Sequence, residues 1–357
     1  MITHAIDLGF GLTKFTSGPA SAQRFNAFPS VAVPARGRSS ASYGHDLELK
    51  TVEFDGGTYL VGPDARRELA GNELGRDLTE DFYRSHTYHV LMRGALAFMG
   101  ESEIDVLVLG LPMDRFENRN LVQNLQSQYE GEIMISPNKT VAIARCEVHP
   151  QPFGGYIGLG RQIPDINAAL ADFPASGIKQ MTKPSELAEL NVLVVDSGSF
   201  TLDWLLMSGQ KGPVRSASSA ANNAGRHRVL RALYEQICRD LSRKPPVSIM
   251  LEIDDAQRSG KPLRIDGRAI DFTAPEYVRA AQDAVEDSVQ QMFEHLGSML
   301  DRVDIVACIG GAPHEVAAAI ARRRPHLPLY SPGVEKSLFM NLSGFADYAK
   351  SLTSGGR

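Results

Sequence analysis

Apolar residues in this chain fall into short runs, interleaved with longer stretches of helical spacing. Ala5–Leu8 is apolar around a single aspartate and reads as a buried strand. Small residues follow at Gly9–Thr13, then Lys14–Phe15, so the pattern predicts a hairpin turning on the glycines. Phe28–Val33 and Val52–Val61 read as further strands, with Asp55-Gly56-Gly57 as a turn. Arg36–Asp46, rich in Ser, Gly and Arg, reads as a mobile loop. A helical pattern from about Asp81 to Met99 leads to a strand over Ile104–Leu109, which Gly110-Leu111-Pro112 is expected to end. Arg115–Tyr129 reads as a polar helix, Lys139–Val148 as a strand, and His149–Gly155 as a Pro- and Gly-rich corner.

Residues 161–190 hold prolines at 164, 174 and 184 and lack a strong period, which suits an insertion with one short helix near Ile166–Phe173. Asn191–Asp196 is the strongest strand, and Phe200–Met207 is expected to pair back with it before a turn at Gly209–Gly212. Leu230, Leu233, Ile237 and Leu241 mark the buried face of a helix over about Gly225–Arg243. Val285, Val289, Met292, Phe293 and Leu296 do the same for Val278–Leu300. Asp304–Ile309 reads as a strand, Gly310-Gly311 as a tight turn and Pro313–Arg323 as a helix. Leu327–Tyr330 and Leu338–Ser351 read as a last strand and a closing helix. Both halves begin with a hairpin before their helices, which predicts two related α/β halves, a duplicated fold.

Composition narrows this little. The 357 residues suit roughly two domains. A formal net charge of −5 gives no overall field for nucleic acid or an anionic membrane, so any DNA contact would be local or indirect. Cys146, Cys238 and Cys308 are scattered, without metal-ligand spacing or a disulfide framework, which fits a cytoplasmic location. Runs such as Val106–Leu111 fall far short of the roughly 20 residues that cross a bilayer, so no membrane contact is expected. His86 and His89 lack a third ligand nearby, which disfavours a metal site.

The candidate chemistry lies in a phrase written twice. AIDLGFGLTKF (Ala5–Phe15) returns as VVDSGSFTLDW (Val194–Trp204), each an apolar run ending in aspartate, followed by small and hydroxyl residues. A turn of small residues lets backbone N–H groups reach phosphate oxygens, and a strand-end aspartate beside it suits a phosphate-bound Mg²⁺, through its waters. Either phrase alone reads more readily as an ordinary hairpin. A third element, VDIVACIGGAPHEVAAAI (Val303–Ile320), is a strand, a Gly-Gly turn and a helix whose N-terminus suits a nucleotide or phosphate group. No G-x-x-x-x-G-K-[ST] is present, and no G-x-G-x-x-G follows a strand.

Taken in order, these stretches resemble the actin-like ATPase family, most closely its plasmid-segregation members of the ParM/StbA type. IDLGFGLTKF looks like the first phosphate loop, VVDSGSFTLDW like the second, and IVACIGGAPHEV like the adenosine motif. VHPQPFGGYIGLG resembles the connecting segment that carries a catalytic Gln or Glu, here Gln151. LGLPMDRF and SLFMNLSGFADYA are further similar to the PRTRC-system protein D group.

The resemblance implies an actin-like fold of two ribonuclease H-like domains around a nucleotide cleft. The first would be 1–160 plus a closing helix about 330–357, with an inserted subdomain about 30–90. The second would be 191–329, after the 161–190 insertion, which makes this link longer than the family's. It implies ATP or GTP with Mg²⁺ as cofactors, Asp7 and Asp196 on the metal side, and Gln151 orienting the attacking water. Gly9, Gly11, Leu12, Thr13, Lys14, Ser197, Gly198, Ser199, Phe200, Thr201, Gly310, Gly311 and Ala312 would contact the nucleotide. The expected activity is ATP hydrolysis with self-association into filaments, which would move DNA through an adaptor. A sugar- or acetate-kinase-like or chaperone-like ATPase without filaments, or an ATP-sensing scaffold, are the alternatives. Asp203 is read as hairpin structure, the Arg226–Lys244 helix as a solvated basic face with one or two side chains near the ribose, and Arg322-Arg323-Arg324 as a solvated helix end.

Overall fold

A computed structural model of the chain describes residues 1–35, 41–42, 45–69 and 81–354. It divides into two compact units, Met1–Gly158 with Phe339–Arg357, and Leu159–Leu338.

In the first unit, β1 (Thr3–Leu8) and β2 (Leu12–Ser17) form the hairpin expected from the opening phrase. β3 (Arg24–Pro29) lies antiparallel beyond β2, while β4 (Val106–Leu111) and β5 (Cys146–Pro150) run parallel on the other side. The sheet order is β5-β4-β1-β2-β3. The second unit repeats this plan. β6 (Asn191–Ser197) and β7 (Leu202–Ser208) form a hairpin, β8 (Ser219–Ala221) flanks β7, and β9 (Ile305–Gly310) and β10 (Leu329–Tyr330) continue in parallel from β6. Its order, β10-β9-β6-β7-β8, matches the first strand for strand. The duplication read from the two phrases is therefore a duplication of sheet topology.

Period-2 alternation decides what each sheet face meets. In the first unit, Ala5, Val106 and Val108 pack on Leu342, Phe345 and Ala349 of the helix Met340–Ser354. In the second, Leu193, Val195, Trp204 and Leu206 face helices Arg226–Leu241, Pro275–Leu296 and Pro313–Arg323 through Leu233, Ile237, Val285, Val289 and Ile320. Asp196 alternates out of that core, onto the other face of β6.

Several boundaries differ from the sequence reading for identifiable reasons. β4 continues through Gly110, because that glycine is a point of close packing and not a strand terminator: a Cβ there would lie 2.7 Å from the Phe345 ring. The run Lys139–Val148 is two strands, since Lys139–Ile143 pairs with Gly131–Ser136 in a separate sheet while Cys146–Pro150 joins the main one. The expected corner at His149–Gly155 is instead the end of β5 running directly into a helix, Gln151–Leu159. Residues 161–190 carry helices Ile163–Leu170 and Pro184–Leu187 and group with the second unit. The basic run at 322–324 is the solvent-exposed end of its helix, as expected, and carries surface ion pairs. Arg322 and Arg323 both bridge Glu286, and Arg324 lies 3.5 Å from Asp301. Most of the loop expected at Arg36–Asp46 falls outside the described residues.

The packing of the first unit carries an acid sensitivity. His89, on the helix His86–Met99, is buried with Nδ1 2.7 Å from the Tyr129 hydroxyl. Burial, reinforced by nearby Arg93 and His86, lowers its pKa to about 4 from 6.5. Burial also lowers His4 and His149. The unfolded chain therefore binds more protons than the folded one between these values. Stability is full above about pH 6.5 and falls as pH drops toward 4. Urea midpoints measured across that window are expected to decline, and His89→Gln to flatten the slope; an unchanged slope would remove His89 from the account.

Candidate functional site

In the first unit, register sets the chemistry. Asp7 pairs across the hairpin with Lys14, and their side chains meet, Lys14 Nζ 2.5 Å from Asp7 Oδ2. The Gln151 amide donates to Asp7 Oδ1 at 2.7 Å. Asp7 is fully buried and Gln151 nearly so. Gln151 reaches it because β5 ends at Pro150 and the helix begins at once, held by close crossing with Met340–Ser354. A Cβ on Gly154 would stand 2.6 Å from Asn341 O and 2.8 Å from the Phe345 ring. Gly110 completes the pocket, since a Cβ there would also meet Gln151 Cγ at 3.1 Å and Asp7 Oδ1 at 3.2 Å.

The loop between β1 and β2 is pinned from one side. Ser30 donates its hydroxyl to Gly9 O (2.6 Å) and its amide to Gly11 O (3.1 Å). Because a trans peptide sets C=O and N–H in opposite directions, the amides of Phe10 and Leu12 are turned away from Ser30. Gly9 N–H closes the turn on Leu12 O at 3.0 Å, so it is committed within the loop. Thr13 is buried, its hydroxyl 3.1 Å from that of Ser30, and stands as loop support. Phe10 anchors the tip by stacking on Phe82 with ring centroids 4.7 Å apart.

The loop of the second unit is held in the same manner by a helix. The amides of Arg226 and His227 donate to Gly198 O and Ser199 O, both at 2.8 Å, and Ala224 N donates to Phe200 O at 2.9 Å. Three successive carbonyls thus face the helix Arg226–Leu241, and the amides of Ser199, Phe200 and Thr201 are turned the other way. Runs of amides turned the same way are the kind of backbone feature from which anion-binding concavities are built. Gly225 permits the contact: a Cβ there would lie 2.6 Å from Thr201 O.

At the position equivalent to Lys14, seven residues after its aspartate, the second unit has Asp203, directly across from Asp196. Both are buried, and the Thr201 hydroxyl donates to Asp203 Oδ2 at 2.5 Å. Ser197 is buried at the strand end and its carbonyl accepts from Gly311 N at 2.5 Å. Gly310 has φ +93°, and a Cβ there would collide with Asp196 Oδ1 and Ser197 O. Ala312 is buried immediately before the helix Pro313–Arg323, so the Gly310–Ala312 turn sits against the loop-bearing strand. Arg226 is buried, not solvated: its Nε lies 3.0 Å from Asp254 Oδ1 and its Nη1 3.6 Å from Glu315 Oε1. Burial alone would raise the Asp254 carboxyl, but Arg226 and Arg258 outweigh it and hold it below its usual range.

The donor chemistry fits Mg²⁺. Within its own unit, each of Asp7 and Asp196 offers hard oxygens of the kind Mg²⁺ takes, with a glycine of the neighbouring parallel strand leaving no room for a Cβ beside it. With its oxygens on Lys14 and Gln151, Asp7 suits the waters of such an ion better than the ion itself. Among the described residues, no group of three or more His, Cys, Asp or Glu side chains could hold a metal alone, and no helix is long and apolar enough to cross a membrane.

Sequence reasoning placed the loops and Gly310 but missed Gly110, Gly225, Ser30, Phe10 and the buried role of Arg226. A glycine inside an apolar strand run, as at Gly110, was the one available signal.

Comparison with known proteins agrees with the topology. Residues 5–154 match the N-terminal domain of actin like proteins, and residues 194–321 the C-terminal domain of the archaeal actin homologue MreB-like family. No curated protein sequence matches the chain. Among solved structures, native Ta0583, an archaeal actin homolog, superposes with a TM-score of 0.72 at 19% identity, covering 98% of this chain and 100% of that one. The ADP complex of Ta0583 gives 0.70 at 19%, with coverage of 98% and 100%. The 15-stranded ParM filament from Clostridium botulinum gives 0.66 at 16%, again covering 98% and 100%. Two successive domain matches on two copies of one sheet topology, together with the superposed structures, show that the chain has the actin-like fold.

Proposed function

We propose that this protein binds and hydrolyses ATP with Mg²⁺ and polymerises into filaments that segregate plasmid or mobile-element DNA through an adaptor. The observation that carries the reading is the loop Gly198–Thr201, whose carbonyls are drawn to the helix Arg226–Leu241 so that three amides are presented together. The loop at Gly9–Leu12 is pinned by Ser30 to the same effect. Phosphate oxygens are the natural acceptors for such amides. Lys14, on the Asp7 carboxylate, stands beside the first loop as its cation. Mg²⁺, when bound, neutralises phosphate charge and draws electrons from the bond that breaks. Gln151 gives its N–H to Asp7, which leaves its carbonyl oxygen to accept a hydrogen bond from the attacking water and hold that water in line. The solved relatives support the reading, since one is an ADP complex and another a ParM filament. The segments LGLPMDRF and SLFMNLSGFADYA support placement with the PRTRC-system group.

Sedimentation and electron microscopy with ATP-Mg²⁺, a non-hydrolysable analogue and no nucleotide test the proposal. Polymer is expected with triphosphate and not without it. Gln151→Ala is expected to bind ATP normally and to lose about 10²-fold in hydrolysis rate. Polymer that forms identically in all three conditions, or undiminished turnover in Gln151→Ala, would refute the corresponding part.

A further inference from the structure

One network of the second unit, buried at Arg226 and half-buried beyond it, joins the Gly198–Thr201 loop to a helix on the outside of that unit. Arg226 stands at the junction. Its backbone amide holds Gly198 O, while its guanidinium is gripped by Asp254, on the helix Ile249–Ser259, and lies near Glu315, on the helix Pro313–Arg323. Asp254 Oδ1 also takes Arg258 Nε at 3.1 Å, and Gln257 Nε2 reaches Glu315 Oε1 at 3.5 Å. The Arg226 stem packs on Gly311, where a Cβ would lie 3.4 Å from Arg226 Cβ. One residue thus fixes the loop with its main chain and two further helices with its side chain.

A buried, multiply held guanidinium moves only if its partners move. Its planar fork makes the contacts directional, so a shift of the loop reaches the acidic partners as a rotation of the fork. We infer that Arg226 is a positioning residue for the Gly198–Thr201 loop, and that through Asp254 it couples occupation of that loop to the helix Ile249–Ser259. The loop holds phosphate on the reading above, so the inference rests on that reading. Anion binding draws the three amides outward, the peptide planes turn, and the carbonyls carry the Arg226 end of its helix with them. Asp254 then passes the displacement to Ile249–Ser259. The second unit thereby has an internal relay by which nucleotide state alters a surface-bearing helix without contacting it.

The test uses the full chain, ADP-Mg²⁺ as probe and hydrogen–deuterium exchange, with ADP binding followed separately by a fluorescent analogue. In the wild type, ADP is expected to slow exchange of amides in 249–259 by about fivefold. Asp254→Asn, which keeps shape and removes the charge, is expected to bind ADP and lose that response, while Asp254→Glu regains part of it. A merely structural Asp254 would lower the melting temperature but leave the ADP-dependent change intact, and that result overturns the inference. Unchanged exchange in wild-type 249–259 at saturating ADP overturns it as well, even should Asp254→Asn fail to fold. Absence of ADP binding by the wild type overturns the nucleotide reading, and the relay with it.

Discussion

Gly310→Ala is expected to destabilise the chain by about 2–5 kcal/mol, seen as a lower urea midpoint at constant m. Two costs combine. The residue has φ +93°, where an L side chain is strained. Its new Cβ would also strike Ser197 O and Asp196 Oδ1, and the first of these is backbone of β6, which cannot yield without disturbing the sheet. The Gly311 amide bond to Ser197 O would be displaced in the same movement. Against a total stability of about 5–15 kcal/mol this is a large loss. Gly333→Ala is the matched control: no atom lies within 4 Å of a Cβ there, and a change within about 0.5 kcal/mol is expected. Equal effects at 310 and 333 would show that the carbonyl and carboxylate contacts are not binding constraints on the fold.

The contrast between these glycines shows what was legible in the sequence. Gly310 follows an apolar run and precedes a helical pattern, so a tight turn was readable from local order alone. Gly110 follows an equally apolar run, yet it lies inside its strand, because what limits it is Phe345, a residue from the far end of the chain. Local pattern carries no information about that contact. The same holds for Arg226. Spacing placed it on a basic helix, where a solvated face is the ordinary outcome, but Asp254 and Glu315 come from two later helices and close over it. Ser30 has no pattern of its own and matters only because β3 ends beside the first loop. The two phrases were legible because hairpin pairing is local: Lys14 comes seven positions after Asp7 and Asp203 seven after Asp196, and the fold preserves both registers. Their contents differ, however, and that difference makes the two halves chemically unequal. One aspartate is neutralised by a lysine and the other faces a second carboxylate.

That inequality sets up the second large effect, on the Lys14 side. Lys14→Met is expected to destabilise by about 3–5 kcal/mol, because it leaves the fully buried Asp7 carboxylate with the Gln151 amide as its remaining named partner. Asp7→Asn is expected to cost less. The side chain of Lys14 retains 14% exposure, so its ammonium can turn toward water while its stem stays packed, whereas Asp7 has no such exit. Combining the two removes both charges and keeps the volume, so the double variant should recover most of the stability lost in Lys14→Met. A double-mutant cycle in urea measures this directly, with a coupling of about 1.5–3 kcal/mol expected. Additive losses would mean that Lys14 and Asp7 do not depend on one another in the folded chain. The same cycle separates structure from chemistry. If Lys14 serves phosphate as well as Asp7, the double variant regains its stability while its affinity for ATP stays low. A phosphate role cannot be restored by removing the carboxylate with which the lysine pairs.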